Sequence, residues 1–209
     1  MGNLKALALG LGIALAGALP AQAALIIKAD NVTVATSASN DFATFTGQIG
    51  SFNINVLSAL GVDSFAGNGT LMDNGSLNVA TSGAGSLTLH FIQTDLTSPS
   101  ASLSFFGAFT GVLQNMTVTK SFYADATNSG LMTTLLGTTT SVDGTFSSSP
   151  VALNGLYSIT EVITITATGP GAYLSSDDNV RIPEPISLGL FGGALLALGL
   201  VRRRRSQPA

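Results

Sequence analysis

The sequence predicts an all-β fold, an antiparallel β-sandwich-like domain, on three observations. From Leu25 onward apolar and polar residues alternate with a period of two, the signature of strands with one buried face. The alternating runs are rich in Val, Ile, Thr and Phe, side chains that pack well on a pleated surface. Between the runs lie Gly67-Asn68-Gly69, Asp73-Asn74-Gly75, Ser82-Gly83-Ala84-Gly85, Ser98-Pro99 and Gly169-Pro170-Gly171, which are turn chemistry. Short strands with polar outer faces point to antiparallel sheets. A β-solenoid is the alternative, favoured by the Gly, Ser and Thr content. No fixed repeat period supports it, since the echo between Asn68-Gly69-Thr70 and Asn74-Gly75-Ser76 occurs once.

Taken along the chain, strands are expected near 25–35, 41–46, 51–57, 86–93, 101–109, 112–122, 151–157 and 159–167. Phe52, Ile54 and Val56 alternate with Asn53 and Asn55, and Leu87, Leu89 and Phe91 with Thr88 and His90. Met116, Val118 and Phe122 share a face, and Lys120 falls on that otherwise apolar side. Ile159, Ile163 and Ile165 follow the same scheme. Evidence for helix is thin: Ser129 to Thr140 has threonines that favour strand or loop.

The two ends are of another kind. Lys5, the apolar run Ala6 to Leu19 and Ala21-Gln22-Ala23 form the charged, apolar and small-residue parts of a secretory signal peptide over 1–23, cut after Ala23. At the far end, the sixteen residues Ile186 to Val201 carry no charge and would span about 24 Å as a helix. Arg202, Arg203, Arg204 and Arg205 follow and would stay on the cytoplasmic side, leaving the larger domain outside. Proline on both sides of Glu184 holds the preceding stretch as open chain. The expected organisation is a signal peptide over 1–23, a β domain over 24–168, a polar spacer over 169–182 and a sorting signal over 183–205. Its transmembrane segment is 186–201, and 206–209 is a short cytoplasmic end.

The Pro183-Glu184-Pro185 motif, the apolar segment 186–201 and the cluster Arg202 to Arg205 together resemble the C-terminal sorting signal of bacterial PEP-CTERM proteins. The resemblance covers the last ~27 residues, with Ile182 standing where many members carry valine. It implies recognition by an exosortase, a membrane processing enzyme of Gram-negative bacteria, and a destination at the cell surface or in an extracellular matrix, often alongside exopolysaccharide. The signal peptide in turn calls for an export translocon and signal peptidase as partners.

Charge and composition narrow the function of the middle. Between Ala24 and Ile182 only Lys28, Lys120 and Arg181 stand against ten acids, a net charge of −7 that opposes nucleic-acid binding. The chain has no cysteine and one histidine, His90, which removes thiolate chemistry and a conventional zinc cluster. His90 is expected on the outward face of its strand, and no catalytic motif accompanies it. Asp73-Asn74-Gly75 and Asp177-Asp178-Asn179 offer oxygen ligands for calcium without an EF-hand pattern. Glu161 is the one glutamate of the β domain, and no carboxylate partner for it is evident. Tyr123, Tyr157 and Tyr173 are the amphipathic rings a carbohydrate site would use, with Tyr173 falling in the expected spacer. Asn31, Asn68, Asn74 and Asn115 head N-x-Ser/Thr sequons. The reading is an exported structural or adhesive protein and not an enzyme. A carbohydrate-binding module is the alternative, and a secreted hydrolase is less favoured.

Overall fold

The computed structural model describes residues 24–37, 42–61, 70–98 and 101–183. The signal peptide expected over 1–23, with Ala21 and Ala23, the motif residues Glu184 and Pro185, the apolar segment 186–201 and Arg202 to Arg205 lie outside the described residues. Among the described residues no helix is long and apolar enough to cross a membrane.

All the regular secondary structure of the described residues is strand. The first half holds β1 (Leu25–Ala29), β2 (Val32–Ser37), β3 (Ala43–Ile49), β4 (Phe52–Gly61), β5 (Thr70–Thr81) and β6 (Gly85–Thr97). The second holds β7 (Ser102–Leu103), β8 (Phe106–Gln114), β9 (Met116–Asp125), β10 (Thr134–Thr139), β11 (Gly144–Ser147), β12 (Val151–Ala152), β13 (Leu156–Ala167) and β14 (Tyr173–Arg181). Sheet I has the order β10-β9-β13-β6-β1-β2, sheet II the order β11-β8-β14-β5-β4-β3, and β12-β7 forms a small ribbon. Every pairing is antiparallel. The fold is therefore an antiparallel sandwich, and neighbours within each sheet come from distant parts of the chain, which a coil-by-coil solenoid does not allow.

The period-two pattern decides which side chains meet. Leu87, Leu89 and Phe91 of β6, Val118 and Phe122 of β9, and Ile159, Ile163 and Ile165 of β13 point inward from sheet I. Ile54 and Val56 of β4, Leu77 and Val79 of β5, and Leu174 and Val180 of β14 meet them from sheet II in one continuous core. At roughly 25 cal/mol per Å² of apolar surface removed from water, this core is the main source of stability.

Four expectations about the elements change. The strand expected over 25–35 is a hairpin, because Asp30 and Asn31 both take left-handed φ values, 47° and 68°, as a tight two-residue turn between twisted strands requires. The break expected between 157 and 159 is a bulge within one strand, β13, where its register on β6 shifts between Tyr157 and Ile159. Asp73-Asn74-Gly75 lies inside β5, again at a register shift. Most consequentially, the spacer expected over 169–182 is mostly β14, which is hydrogen-bonded to β8 on one side and β5 on the other. The β domain thus runs to Arg181 and does not stop at 168.

One corner of the sandwich closes on a phenylalanine. Phe146 of β11 packs on Phe122 with ring centroids 4.6 Å apart. Its ring lies over two glycines: a Cβ on Gly107 would sit 1.9 Å from a ring carbon, and one on Gly137 would sit 2.7 Å away. Gly107 is on sheet II and Gly137 on sheet I, so the ring spans the gap between β10 and β11. Gly107→Ala is expected to expel the ring and destabilise the domain by roughly 1–3 kcal/mol in denaturant unfolding. The double variant Gly107→Ala/Phe146→Ala should then lose less than the two single changes added together, and strict additivity would show that the ring does not occupy this slot.

Candidate functional sites: a buried charged centre and an amide-lined face

Three strands from sheet II and sheet I bring ionisable groups into the middle of the core. Lys120 of β9 occupies an inward position between Val118 and Phe122, and Ile163 of β13 is its cross-strand partner. Glu161 takes the inward position two residues before Ile163. From the facing sheet, Asp178 and Ser176 of β14 and Asn74 of β5 point toward them, Asn74 being the cross-strand partner of Asp178. The side chains of Lys120 and Asp178 are both 0% exposed.

The contacts are short. Lys120 Nζ lies 2.5 Å from Asp178 Oδ1 and 2.5 Å from Ser176 Oγ. Ser176 Oγ also donates to Asp178 Oδ1 at 3.0 Å. Asn74 Nδ2 donates to Glu161 Oε2. The ring of Phe109 lies 5.1 Å from the ammonium nitrogen. Burial pushes the Glu161 carboxyl well above its usual range, and the nearby charge of Asp178 adds to this, while Lys120 and Asn74 oppose it. Burial also raises Asp178, against the pull of Lys120.

The candidate residues named above are redistributed by this arrangement. The two Asx clusters considered for calcium lie on adjacent strands, but alternation turns Asn74 and Asp178 inward and leaves Asp73 and Asp177 on the outer face. The cationic group paired with the inward Asp178 is the Lys120 ammonium. No group of three or more His, Cys, Asp or Glu side chains is placed to hold a metal ion among the described residues. Glu161 does acquire a carboxylate partner, Asp178, yet the pair is sealed between the sheets, where a hydrolase substrate does not reach. Pro183 is exposed just beyond the end of β14.

His90 is on the outer face of β6, as expected, but only 9% exposed. Burial lowers its pKa, Lys28 lowers it further, and Asp30 opposes both. The tyrosines do not form one platform. Tyr157 is in the core against the edge of Phe105, Tyr123 is half-buried on sheet I, and Tyr173 is on the outer face of sheet II.

Around Tyr173 lies a shallow groove of about 440 Å³ across β3, β4, β5 and β14. Its polar side chains are Thr46, Gln48, Asn53, Asn55, Asn78 and Tyr173, and among the described residues no aspartate, glutamate, lysine, arginine or histidine lines it. The Tyr173 hydroxyl donates to Asn78 Oδ1 at 3.0 Å, Asn78 Nδ2 donates to Ser76 Oγ at 2.9 Å, and Thr46 Oγ1 donates to Asn55 Oδ1 at 3.1 Å. An open trough of mostly apolar surface, carrying amides, hydroxyls and an aromatic edge, offers both ring contact and hydrogen bonds to a polyhydroxylated surface.

On sheet I the part of the outer face around Ile92, Ser158 and Thr160 is covered instead by the loop from Ala126 to Thr133. Asp125 organises it, accepting from Thr127 N at 3.0 Å, Ser129 N at 2.9 Å, Leu131 N at 3.2 Å and both the Thr127 and Ser129 hydroxyls at 2.7 Å. Asn128 within the loop is clasped to Asp95 of β6 through two reciprocal bonds of 2.6 and 2.7 Å. Gly130, at φ +72°, then sits directly over Ile92. Burial works against the charge on Asp125, but the donors from Ser129 and Thr127 outweigh it and hold the carboxyl well below the ordinary range.

No family model matches the chain, and no curated protein matches it. Among solved structures, a chain in the structure of infectious bursal disease virus Gx strain aligns with 79% of this chain and 52% of its own length, at 9% identity and a TM-score of 0.29. This chain thus spans about half the length of that one.

A carboxyl held down in the folded state contributes stability that is fully present above the unfolded aspartate value of about 4 and is lost as pH falls through the folded value. Asp125→Asn, which removes an acceptor oxygen, is therefore expected to cost roughly 1–3 kcal/mol at neutral pH and to flatten the acid limb of the stability profile. Urea unfolding at a series of pH values measures this, and an unchanged acid limb would count against the assignment.

Proposed function

We propose that the chain is an exported structural or adhesive protein of a Gram-negative cell surface or extracellular matrix. In this reading an export translocon and signal peptidase remove residues 1–23. An exosortase-type enzyme then acts on Pro183-Glu184-Pro185 while 186–201 and Arg202 to Arg205 hold the tail in the membrane. The observation that carries the reading is the position of the last strand: β14 ends at Arg181, two residues before the motif, so cleavage there takes no strand from the sandwich. The use of the charged groups also supports it, since Lys120, Glu161 and Asp178 are enclosed in the core and Asp125 is committed to a loop.

The test is intact mass and terminal peptide mapping of native protein from membrane, surface and medium fractions. A start at Ala24 and an end near Pro183 to Pro185 are expected. A membrane form that still carries Arg202 to Arg205 would overturn the processing step.

The groove around Tyr173 favours a second reading, a carbohydrate-binding role toward a neutral polysaccharide. Its amides and hydroxyls match sugar hydroxyls, and the absence of charged side chains among its described lining residues suits a neutral polymer. Tyr173→Ala is expected to weaken retention on a neutral polysaccharide column roughly two- to tenfold, the range of one aromatic contact. Retention unchanged by Tyr173→Ala and by Asn55→Ala would remove the groove from consideration.

A further inference from the structure

We propose that Lys120 and Asp178 are joined in the mature protein by an intramolecular isopeptide bond, Nζ to Cγ, with Glu161 carrying the proton between them. The proposal rests on the core alone and does not depend on where the protein is delivered or what its outer face holds.

Proximity is the first support. Nζ already lies 2.5 Å from one oxygen of the carboxyl it would acylate, and both side chains are completely enclosed. Two groups held in this way react as though at enormous concentration, with effective molarities on the order of 10⁵ to 10⁸ M. The rest of the site keeps water out: Phe109 stands over the amine, and Phe122, Leu174 and Val180 belong to the same enclosed core.

The proton inventory is the second. Glu161 Oε2 receives Asn74 Nδ2, but Glu161 Oε1 and Asp178 Oδ2 are both buried without a donor. Two ionised carboxylates cannot satisfy each other. A single proton on Glu161 Oε1, donated toward Asp178, satisfies both atoms, and the raised affinity of Glu161 for a proton agrees with this. The site then contains an ammonium, a carboxylate and a carboxylic acid, with no net charge.

The chemistry follows from moving protons within that set. Transfer of one from Lys120 to Asp178 across their 2.5 Å contact gives the neutral amine and carboxylic acid that acyl transfer requires. The Nζ lone pair attacks Asp178 Cγ, forming the C–N bond. Glu161 gives its proton to the departing hydroxyl and recovers one from Nζ, so the C–O bond breaks with release of one water and Glu161 is unchanged. No oxidant, nucleotide or metal enters the balance. Ser176 Oγ, 2.5 Å from Nζ, is left as an acceptor for the amide N–H. Asp178 is the acyl partner in preference to Asn74, because the amide nitrogen of Asn74 is committed to Glu161.

The bond would tie β9 of sheet I to β14 of sheet II across a sequence separation of 58 residues, in a chain with no cysteine. It would do for the two sheets what a disulfide does elsewhere, without an oxidant.

The experiment is intact mass and proteolytic mapping of the full chain, purified under conditions where it shows a cooperative thermal transition, with the termini fixed by peptide mapping. The expected result is a mass one water below that calculated, and a branched peptide joining the segments around Lys120 and Asp178. Glu161→Gln, nearly isosteric, should fold and show its full calculated mass with no branched peptide. Folded wild-type protein at full mass with Lys120 free in the digest would overturn the proposal. Loss of one ammonia with a branch to Asn74 would overturn the choice of Asp178, and an undiminished branch in Glu161→Gln would overturn the role of Glu161.

Discussion

The organising constraint of this structure is the placement of an ammonium and two carboxyl groups at the centre of an otherwise apolar sandwich. Removing such charges from water costs several kcal/mol per ion, and only close, complete pairing offsets that cost. The two sheets therefore cannot slide or separate freely, because any displacement leaves a charge unpaired in a region with no solvent. Loss of one partner from a buried pair of this kind typically costs about 3–5 kcal/mol, comparable with half the stability of many domains. The apolar residues around the centre supply most of the driving force, but the polar contacts specify which positions of sheet I lie over which positions of sheet II.

That specification matters because the topology is so non-local. β1 pairs with β6, β6 with β13, and β5 with β14, so sheet I is incomplete until β13 is placed and sheet II until β14 is. The chain also changes sheet repeatedly, crossing from β8 to β9 through the single residue Asn115 at φ 54°. Folds dominated by such pairings form slowly, since loop closure must be met before distant contacts repay it. In this one the final strand carries Asp178, so the charged centre is assembled only when β14 docks.

The strand content was readable from the alternation of residues such as Phe52, Ile54 and Val56, and the inward direction of Lys120 was readable from its parity with Val118 and Phe122. Glu161 carried the same signal, sharing parity with Ile159 and Ile163, but one acid among threonines looks like part of a polar face. β14 was not readable. Its stretch Ser175 to Asn179 has five polar residues in a row, the composition of a spacer, because two of its inward positions are filled by the polar side chains that meet Lys120. β5 was hidden for a related reason: Asp73-Asn74-Gly75 is turn chemistry used to make a bulge. The amide groove could not be found either, because it is assembled from four strands whose order in sheet II is not the order of the chain.

The position of β14 also determines how the molecule would bear a load. The chain leaves the sandwich from Arg181, at the end of a central strand flanked on both sides by antiparallel neighbours. A pull applied at that end along the axis of β14 would load the ladders to β5 and β8 together in shear instead of opening one bond at a time. Asp178 lies three residues from the point of traction, and its contact with Lys120 passes the force into the opposite sheet. A domain suspended by this strand would distribute tension over both layers, where one suspended by an edge strand would peel.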